Sequence, residues 1–242
     1  MNNICLITGA SSGIGRSLAI QMAQKGFYII AIARNIEKLN ELALEIGLSQ
    51  IKICVCDVSD AESIRKVSEN LVQENLIPSI FFLNAGDGLV EPIGNLNLET
   101  HQKTFAVNYF GAIQWIDEFM PLVKEKGAKF IATSSILTYF ATPGGASYCA
   151  SKSALKACFD ALRRQYLGTK LEFVCVHPGP TDTNMLKTHK KLPFVWLPEK
   201  AASYMIKKVF ASKKVIAFPF FWRCFFRILS ILPDAWVMKV LK

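Results

Sequence analysis

Tyr148 and Lys152 lie one helical turn apart in the run Tyr148-Cys149-Ala150-Ser151-Lys152. On a helix, residues at i and i+4 leave from one face, with Cβ atoms about 5–6 Å apart. A phenol beside an ammonium is a useful chemical unit. An unperturbed tyrosine has a pKa of about 10, and an adjacent positive charge stabilises the phenolate and lowers that value. A tyrosine tuned in this way passes a proton to or from a substrate oxygen near neutral pH. Such spacings are common on ordinary helices, so the meaning of this one depends on what else converges on it.

A second group of residues could hold a phosphate. Thr8-Gly9-Ala10-Ser11-Ser12-Gly13-Ile14-Gly15-Arg16 follows a short apolar run and opens a helical one. Glycines let the backbone approach a pyrophosphate, and a helix N-terminus supplies free N–H donors and positive potential. The competing reading is a tight turn that binds nothing. Three glycines set between a strand and a helix argue against it. The spacing is G-x3-G-x-G, not the G-x-G-x-x-G of many dinucleotide folds.

The elements that must position these residues alternate along the chain. Apolar runs at 3–8, 27–33, 51–56, 80–84, 129–134, 171–177 and 215–218 read as strands. Helical patterns fall between them, at roughly 14–25, 35–47, 60–74, 101–124, 148–167 and 198–211. Continuous apolar strands separated by helices predict a parallel sheet covered on both faces. The expected class is α/β: one doubly wound Rossmann-type domain over 1–218, with a seven-stranded, mostly parallel sheet. Its 242 residues suffice for a buried core, and 51% apolar with 19% charged residues excludes a disordered chain. The seven cysteines sit mostly in apolar runs, and Met1-Asn2-Asn3 leads straight into a strand. Reduced thiols in a cytoplasmic protein are therefore expected. Cys54-x-Cys56 lacks metal-site spacing, so no metal is expected.

Thr8-Gly9-x3-Gly13-x-Gly15, Asn84-Ala85-Gly86, Ser135, Tyr148-x3-Lys152 and Pro178-Gly179 together resemble the short-chain dehydrogenase/reductase family, in its compact single-domain form. The resemblance covers residues 3 to about 218, with the motifs in family order and at family spacing. It implies an oxidoreductase that interconverts a carbonyl and an alcohol, with Tyr148 as the catalytic acid/base. Lys152 matches the lysine that lowers the tyrosine pKa and bonds the nicotinamide ribose. Ser135, 13 residues before Tyr148, matches the serine that polarises the substrate oxygen; its neighbour Ser134 competes for that role. Asn108 matches the asparagine that helps position a proton-relay water, although a helix polar residue with no catalytic part would look the same. One departure stands out: Thr138 occupies a position where the family often has glycine.

The resemblance also marks a cofactor path through Gly9, Ser11, Ser12, Gly13, Ile14 and Gly15. It continues with Asp57 and Val58 near the adenine, Asn84, Ala85 and Gly86 lining the cofactor, and Pro178, Gly179, Thr181 and Thr183 at the nicotinamide amide. At the end of the second strand an acid would bond the ribose 2′-hydroxyl of NAD, whereas arginine accommodates the 2′-phosphate of NADP. Ala33 stands at the acid position and Arg34 follows it. NADP(H) is the expected cofactor, with NAD(H) the alternative if Arg34 only starts the next helix. An NAD-dependent alcohol dehydrogenase and an idle NADP-binding scaffold remain as alternative functions. Family members assemble as homodimers or homotetramers, through helices that correspond here to about 101–124 and 148–167.

The remaining expectations concern the C-terminal quarter. Residues 1–184 carry 16 Lys/Arg and 17 Asp/Glu, whereas 185–242 carry 12 and 2. A substrate lid is expected at about 183–200, where Met185, Leu186, Leu192, Phe194, Val195, Trp196 and Leu197 either cover an apolar substrate or close a core beneath it. In the tail, 219–242, Arg223, Arg227 and Ser230 form a narrow stripe on an aromatic helix. The arginines and the flanking prolines, Pro219 and Pro233, argue against a spanning helix. The tail fits peripheral contact with an anionic membrane on its inner face. The competing reading is a helix packed across a subunit interface or over the substrate pocket. Basic residues interleaved with bulky aliphatics, without a recognisable module, argue against nucleic acid.

Overall fold

The computed structural model describes residues 3–88, 96–186 and 192–240. Seven strands form one sheet: β1 (Ile4–Thr8), β2 (Tyr28–Ala33), β3 (Ile51–Val55), β4 (Ile80–Leu83), β5 (Ala128–Thr133), β6 (Leu171–Pro178) and β7 (Val215–Phe218). Their order is β3-β2-β1-β4-β5-β6-β7, and every neighbouring pair is parallel. The expected doubly wound α/β fold is present, and the sheet is wholly parallel. Strand order reverses between β1 and β4, which opens a crevice beyond their carboxyl ends, where this class of sheet binds ligands.

Alternate strand residues feed two cores, because successive side chains of a strand point to opposite faces. Cys5 and Ile7 join α1 (Gly13–Gln24), α2 (Ile36–Ile46) and α7 (Pro198–Phe210) on one face. Ile4 and Leu6 join α3 (Ala61–Gln73), α5 (Gly111–Val123) and α6 (Ala146–Gln165) on the other. There Phe81, Phe130 and Phe173 stack across β4, β5 and β6, with ring centroids 4.6 and 5.4 Å apart. This aromatic row packs on one face of the three hydrogen-bonded strands whose ends carry the candidate site.

The stretch 101–124, expected as one helix, is divided. α4 (Leu98–Phe105) is followed by a π-helical turn, Ala106–Phe110, before α5 begins at Gly111. A π-turn inserts one residue into the helical circuit, and such turns recur at functional sites. The residue it buries here is Asn108. At its exit the helix meets the loop after β3 so closely that a Cβ on Gly111 would stand 2.3 Å from the Val58 carbonyl oxygen.

The tail folds back on the domain. α8 (Phe220–Leu229) and α9 (Asp234–Val240) bury Trp222, Phe226, Leu229 and Val237 in a third cluster with Ile136. Arg223, Arg227 and Ser230 run along one edge of α8, between this buried face and an outer face bearing Phe220 and Ile228. Among the described residues, no helix is long and apolar enough to cross a membrane.

The Gly111–Val58 approach is testable. Alanine gains about 1 kcal/mol in helix propensity over glycine, but the clash forces α5 and the loop apart. Gly111→Ala should therefore lose about 1–3 kcal/mol net in urea unfolding. An unchanged or higher midpoint would show that the close approach carries no constraint.

Candidate active site

The loop after β5 and the first turns of α6 bring the proposed proton-transfer groups together. Ser135 caps a 3-10 helical turn, Ile136–Thr138, and its Oγ accepts a hydrogen bond from the Leu137 N–H at 3.2 Å. The same side chain acts on the Tyr148 phenol, favouring its ionised form. Ser134 is turned the other way. Its buried hydroxyl donates to the Lys152 carbonyl at 2.9 Å, which ties α6 to the end of β5. Of the two serines, Ser135 is the one that faces the phenol.

Lys152 is 3% exposed, and its Nζ donates to the Thr133 carbonyl at 2.9 Å. It lies 6.0 Å from the centre of the Tyr148 ring. Loss of water around the ammonium lowers its pKa to about 8. Tyr148 is half-buried as a residue, and desolvation is the largest influence on its hydroxyl. Burial raises the phenol above its ordinary value, and Ser135 opposes that rise. The expectation of a tyrosine pKa lowered by the lysine is thus corrected. The ammonium is directed at the end of β5, and desolvation dominates both groups.

The π-turn delivers Asn108 to the same place. Its Oδ1 accepts from the Asp87 N–H at 2.7 Å, while its Nδ2 donates to the Asp87 carbonyl at 2.9 Å and the Ser151 hydroxyl at 3.0 Å. Ser151 in turn donates to the Tyr148 carbonyl at 2.8 Å. Asn108 therefore joins the loop after β4 to the helix carrying the tyrosine. A Cβ on Gly86 would stand 3.1 Å from Lys152 Nζ and 3.2 Å from Asn108 Oδ1, so only glycine leaves both groups undisturbed.

The phosphate cradle sits beside this cluster. A Cβ on Gly15 would meet the Gly9 carbonyl oxygen at 2.2 Å, and Gly13 adopts a left-handed φ of +54°. Ser12 precedes α1 with a side chain that makes no capping bond, and the first turn of α1 has no acidic residue. The N-terminal potential of that helix is left for an anion. The Thr8 hydroxyl accepts from the Asn84 and Ala85 N–H groups, each at 2.9 Å. Thr133 Oγ1 donates to Asn84 Oδ1 at 3.2 Å, so Asn84 links β1, β4 and β5. Arg34 is largely exposed and lies 3.7 Å from Asp57. Asp57 resists the effect of its own burial: hydrogen bonds from Ser59 and the Arg34 charge hold its carboxyl below the usual range. These features fit a phosphate-bearing dinucleotide, with the Gly9–Gly15 loop and α1 at the pyrophosphate and Arg34 at the far end.

Comparison with known proteins gives the family. The family profile described as short chain dehydrogenase matches residues 3–192. The chain belongs to that family. It is 31% identical over 189 residues to the oxidoreductase YbbO of Escherichia coli, covering 76% of this chain and 67% of that one. It is 30% identical over 224 residues to a fatty acyl-CoA reductase of Acinetobacter baylyi, covering 88% and 75% respectively. A short chain dehydrogenase from Burkholderia cenocepacia, solved in complex with NADP, superposes over 100% of both chains with a TM-score of 0.84 at 21% identity.

In this short-chain dehydrogenase, Thr138 does more than replace a glycine. Its hydroxyl donates to the Ser135 carbonyl at 2.8 Å and lies 3.2 Å from His177 Nδ1. His177 is fully buried, and desolvation lowers its pKa to about 4, so the ring is neutral at physiological pH. Thr133, Ser151 and His177 are not marked by the sequence pattern: a hydroxyl on a buried helix or strand face is a faint signal for the first two, and a histidine at the end of an apolar strand is one for the third. Pro178 ends β6, and Gly179 donates to the Phe218 carbonyl at 2.6 Å. Thr181 Oγ1 donates to the Gly179 carbonyl at 3.1 Å, and the Thr183 methyl lies against Gly13.

The lid residues divide between the two roles open to them. Trp196 stacks on Phe218 at 4.9 Å and packs against the core, whereas Phe194 and Leu197 face outward and Met185 lies over Gly88. Residues 187–191 of the expected lid lie outside the described residues.

The buried lysine gives a pH-dependent signature. Unfolded, Lys152 holds its proton up to about 10.5; folded, it releases it from about 8. Between these values the unfolded chain binds more protons, so stability rises with pH, and below about 8 the cost of burial is fully present. The stability of the wild type relative to Lys152→Met should therefore climb by up to about 3 kcal/mol between about pH 7 and about pH 10. Denaturant unfolding of the cofactor-free proteins measures it, and a flat difference across that interval contradicts the assignment.

Proposed function

We propose that this short-chain dehydrogenase interconverts a carbonyl and an alcohol with NADP(H), and that it runs in the cell as a ketone or aldehyde reductase on an apolar substrate. The supporting observation is Tyr148 and the buried Lys152 ammonium, 6.0 Å from ring centre to Nζ, set with Ser135 beside a glycine cradle. When bound, the nicotinamide supplies or accepts the hydride. The rest falls to the chain's own residues. Tyr148 gives its phenolic proton to the carbonyl oxygen as negative charge builds there, and takes one back in the oxidative direction. Ser135 donates a hydrogen bond to the same oxygen. A phenol whose pKa is raised by burial stays protonated at neutral pH, which suits the donor in a reduction. Lys152 bonds the nicotinamide ribose and carries positive charge beside the site. Asn108 holds the proton path in register through Asp87 and Ser151.

NADP(H) over NAD(H) rests on Arg34, whose exposed guanidinium suits a 2′-phosphate, and on Ala33 where a ribose-binding acid would stand. The apolar substrate rests on the outward Phe194 and Leu197, and the name of the Acinetobacter relative points the same way. Residues 1–218 serve as the catalytic unit and 219–242 as a tail folded onto it. The protein assembles as a homodimer or homotetramer through α4, α5 and α6, where Phe110 is 60% exposed; light scattering reports that state. It works in the cytoplasm, with its tail against the inner face of an anionic membrane.

Tyr148→Phe should bind NADPH normally yet lose at least about 100-fold in kcat on apolar ketones, since positioned acid catalysis contributes about 10²–10⁴. NADPH oxidation unaffected by the substitution would refute the mechanism. Arg34→Asp should shift the ratio of kcat/KM for NADPH over NADH toward NADH by about tenfold or more, because a charge-assisted phosphate contact is replaced by repulsion. A ratio that does not move assigns Arg34 to the surface.

A further inference from the structure

α8 is apolar on two opposite faces. The inner face, Trp222, Phe226 and Leu229, is buried against Ile136, the residue next to Ser135. The outer face and the segments beside it leave Phe220 75%, Ile228 57%, Ile231 80% and Trp236 62% exposed. An amphipathic surface helix normally turns polar residues outward, so an apolar outer face marks a contact surface. The lid is continuous with it. The Trp222 indole N–H donates to the Pro193 carbonyl at 3.0 Å, and the exposed Phe194 ring packs on Phe221 at 4.9 Å.

Charge identifies the occupant. Arg223 and Arg227 edge this surface, and Lys239 is exposed in the last turn of α9. Pairing with a second copy about a two-fold axis would bring these cations together. An anionic bilayer neutralises them while its acyl boundary takes up the aromatic rings. A helix with its side chains is only about 10–12 Å across, so the turn bearing Ser135 lies one helix thickness beneath the surface.

We propose that residues 192–197 together with α8 and α9 form a single docking face for anionic lipid bilayers, and that the substrate enters beside it directly from the membrane. The substrate class is then a long-chain carbonyl or alcohol dissolved in the bilayer. This substrate assignment rests on the oxidoreductase reading above, whereas the docking face stands on its own.

The test uses the full chain and a variant with Phe220→Ser, Ile231→Ser and Trp236→Ser, all exposed positions outside the catalytic groups. Sedimentation is measured with phosphatidylcholine vesicles, with and without phosphatidylglycerol. NADPH oxidation is followed with a short water-soluble aldehyde and with a long-chain aldehyde held in the same vesicles. The wild type should bind the anionic vesicles, and the variant should bind at least about tenfold less tightly, given the apolar area removed. The variant should keep the wild-type rate on the soluble aldehyde and lose it on the vesicle-held one. Equal binding by variant and wild type, equal binding to neutral vesicles, or a wild type that fails to bind overturns the docking face. A change in oligomeric size on substitution, without vesicle binding, assigns the surface to self-association instead. Docking without preference for the vesicle-held aldehyde overturns the substrate assignment. If neither aldehyde is turned over, the oxidoreductase reading fails, and the sedimentation arm still decides the docking face.

Discussion

The site is organised around the burial of one ammonium. A lysine charge removed from water is costly unless oxygen atoms replace its hydration. In this chain the Thr133 carbonyl at the end of β5 provides one such oxygen. Space for the Lys152 side chain exists because residue 86 has no Cβ, and because the π-turn displaces Asn108 just far enough to share the same corner. The helix carrying the lysine is fastened to β5 by Ser134, through the Lys152 backbone itself. Thus β4, β5, the π-turn and α6 are each constrained by the same buried charge. The lowered lysine pKa and the raised tyrosine pKa are both consequences of that enclosure.

The enclosure also joins two functions that could have been separate. Asn84 hydrogen-bonds across β1 and β5 and lies within reach of the glycine loop, so the phosphate cradle and the proton-transfer groups share one set of strand ends. The switch in strand order between β1 and β4 supplies the crevice, and Thr8 closes its floor by accepting two backbone N–H groups from the loop after β4. An anion at the N-terminus of α1 and a carbonyl beside Tyr148 would therefore be held by a single rigid body. That suits hydride transfer, which depends on orientation more than on any reactive side chain.

Much of this was legible in the sequence, for physical reasons that differ by element. Strands buried on both faces read as unbroken apolar runs, so all seven were found to within one or two residues. The Tyr148–Lys152 pair was visible because helical geometry fixes which residues share a face. The π-turn was not. A single-residue slip in the hydrogen-bond ladder barely disturbs apolar periodicity, so 101–124 reads as one continuous helix. Rotamer direction is likewise set by tertiary partners. Nothing in the pattern tells that Lys152 points at Thr133, or that Ser134 turns away while Ser135 turns toward the phenol. Nor does composition tell which side of an aromatic helix is inward, and the fold of α8 over Ile136 had to be observed.

The packing of α8 ties the most peripheral element to the most central chemistry. Ser135 owes its orientation to a short 3-10 turn, and one side of that turn rests on Trp222 and Phe226 rather than on the main cores. Phe140 stacks on Phe226 at 6.1 Å, and the Arg227 guanidinium lies 5.0 Å from the Tyr139 ring, extending the contact along the loop. Among the described residues this third cluster buries five apolar side chains, fewer than either face of the sheet, so less apolar contact holds α8 and α9 than holds the helices on the sheet.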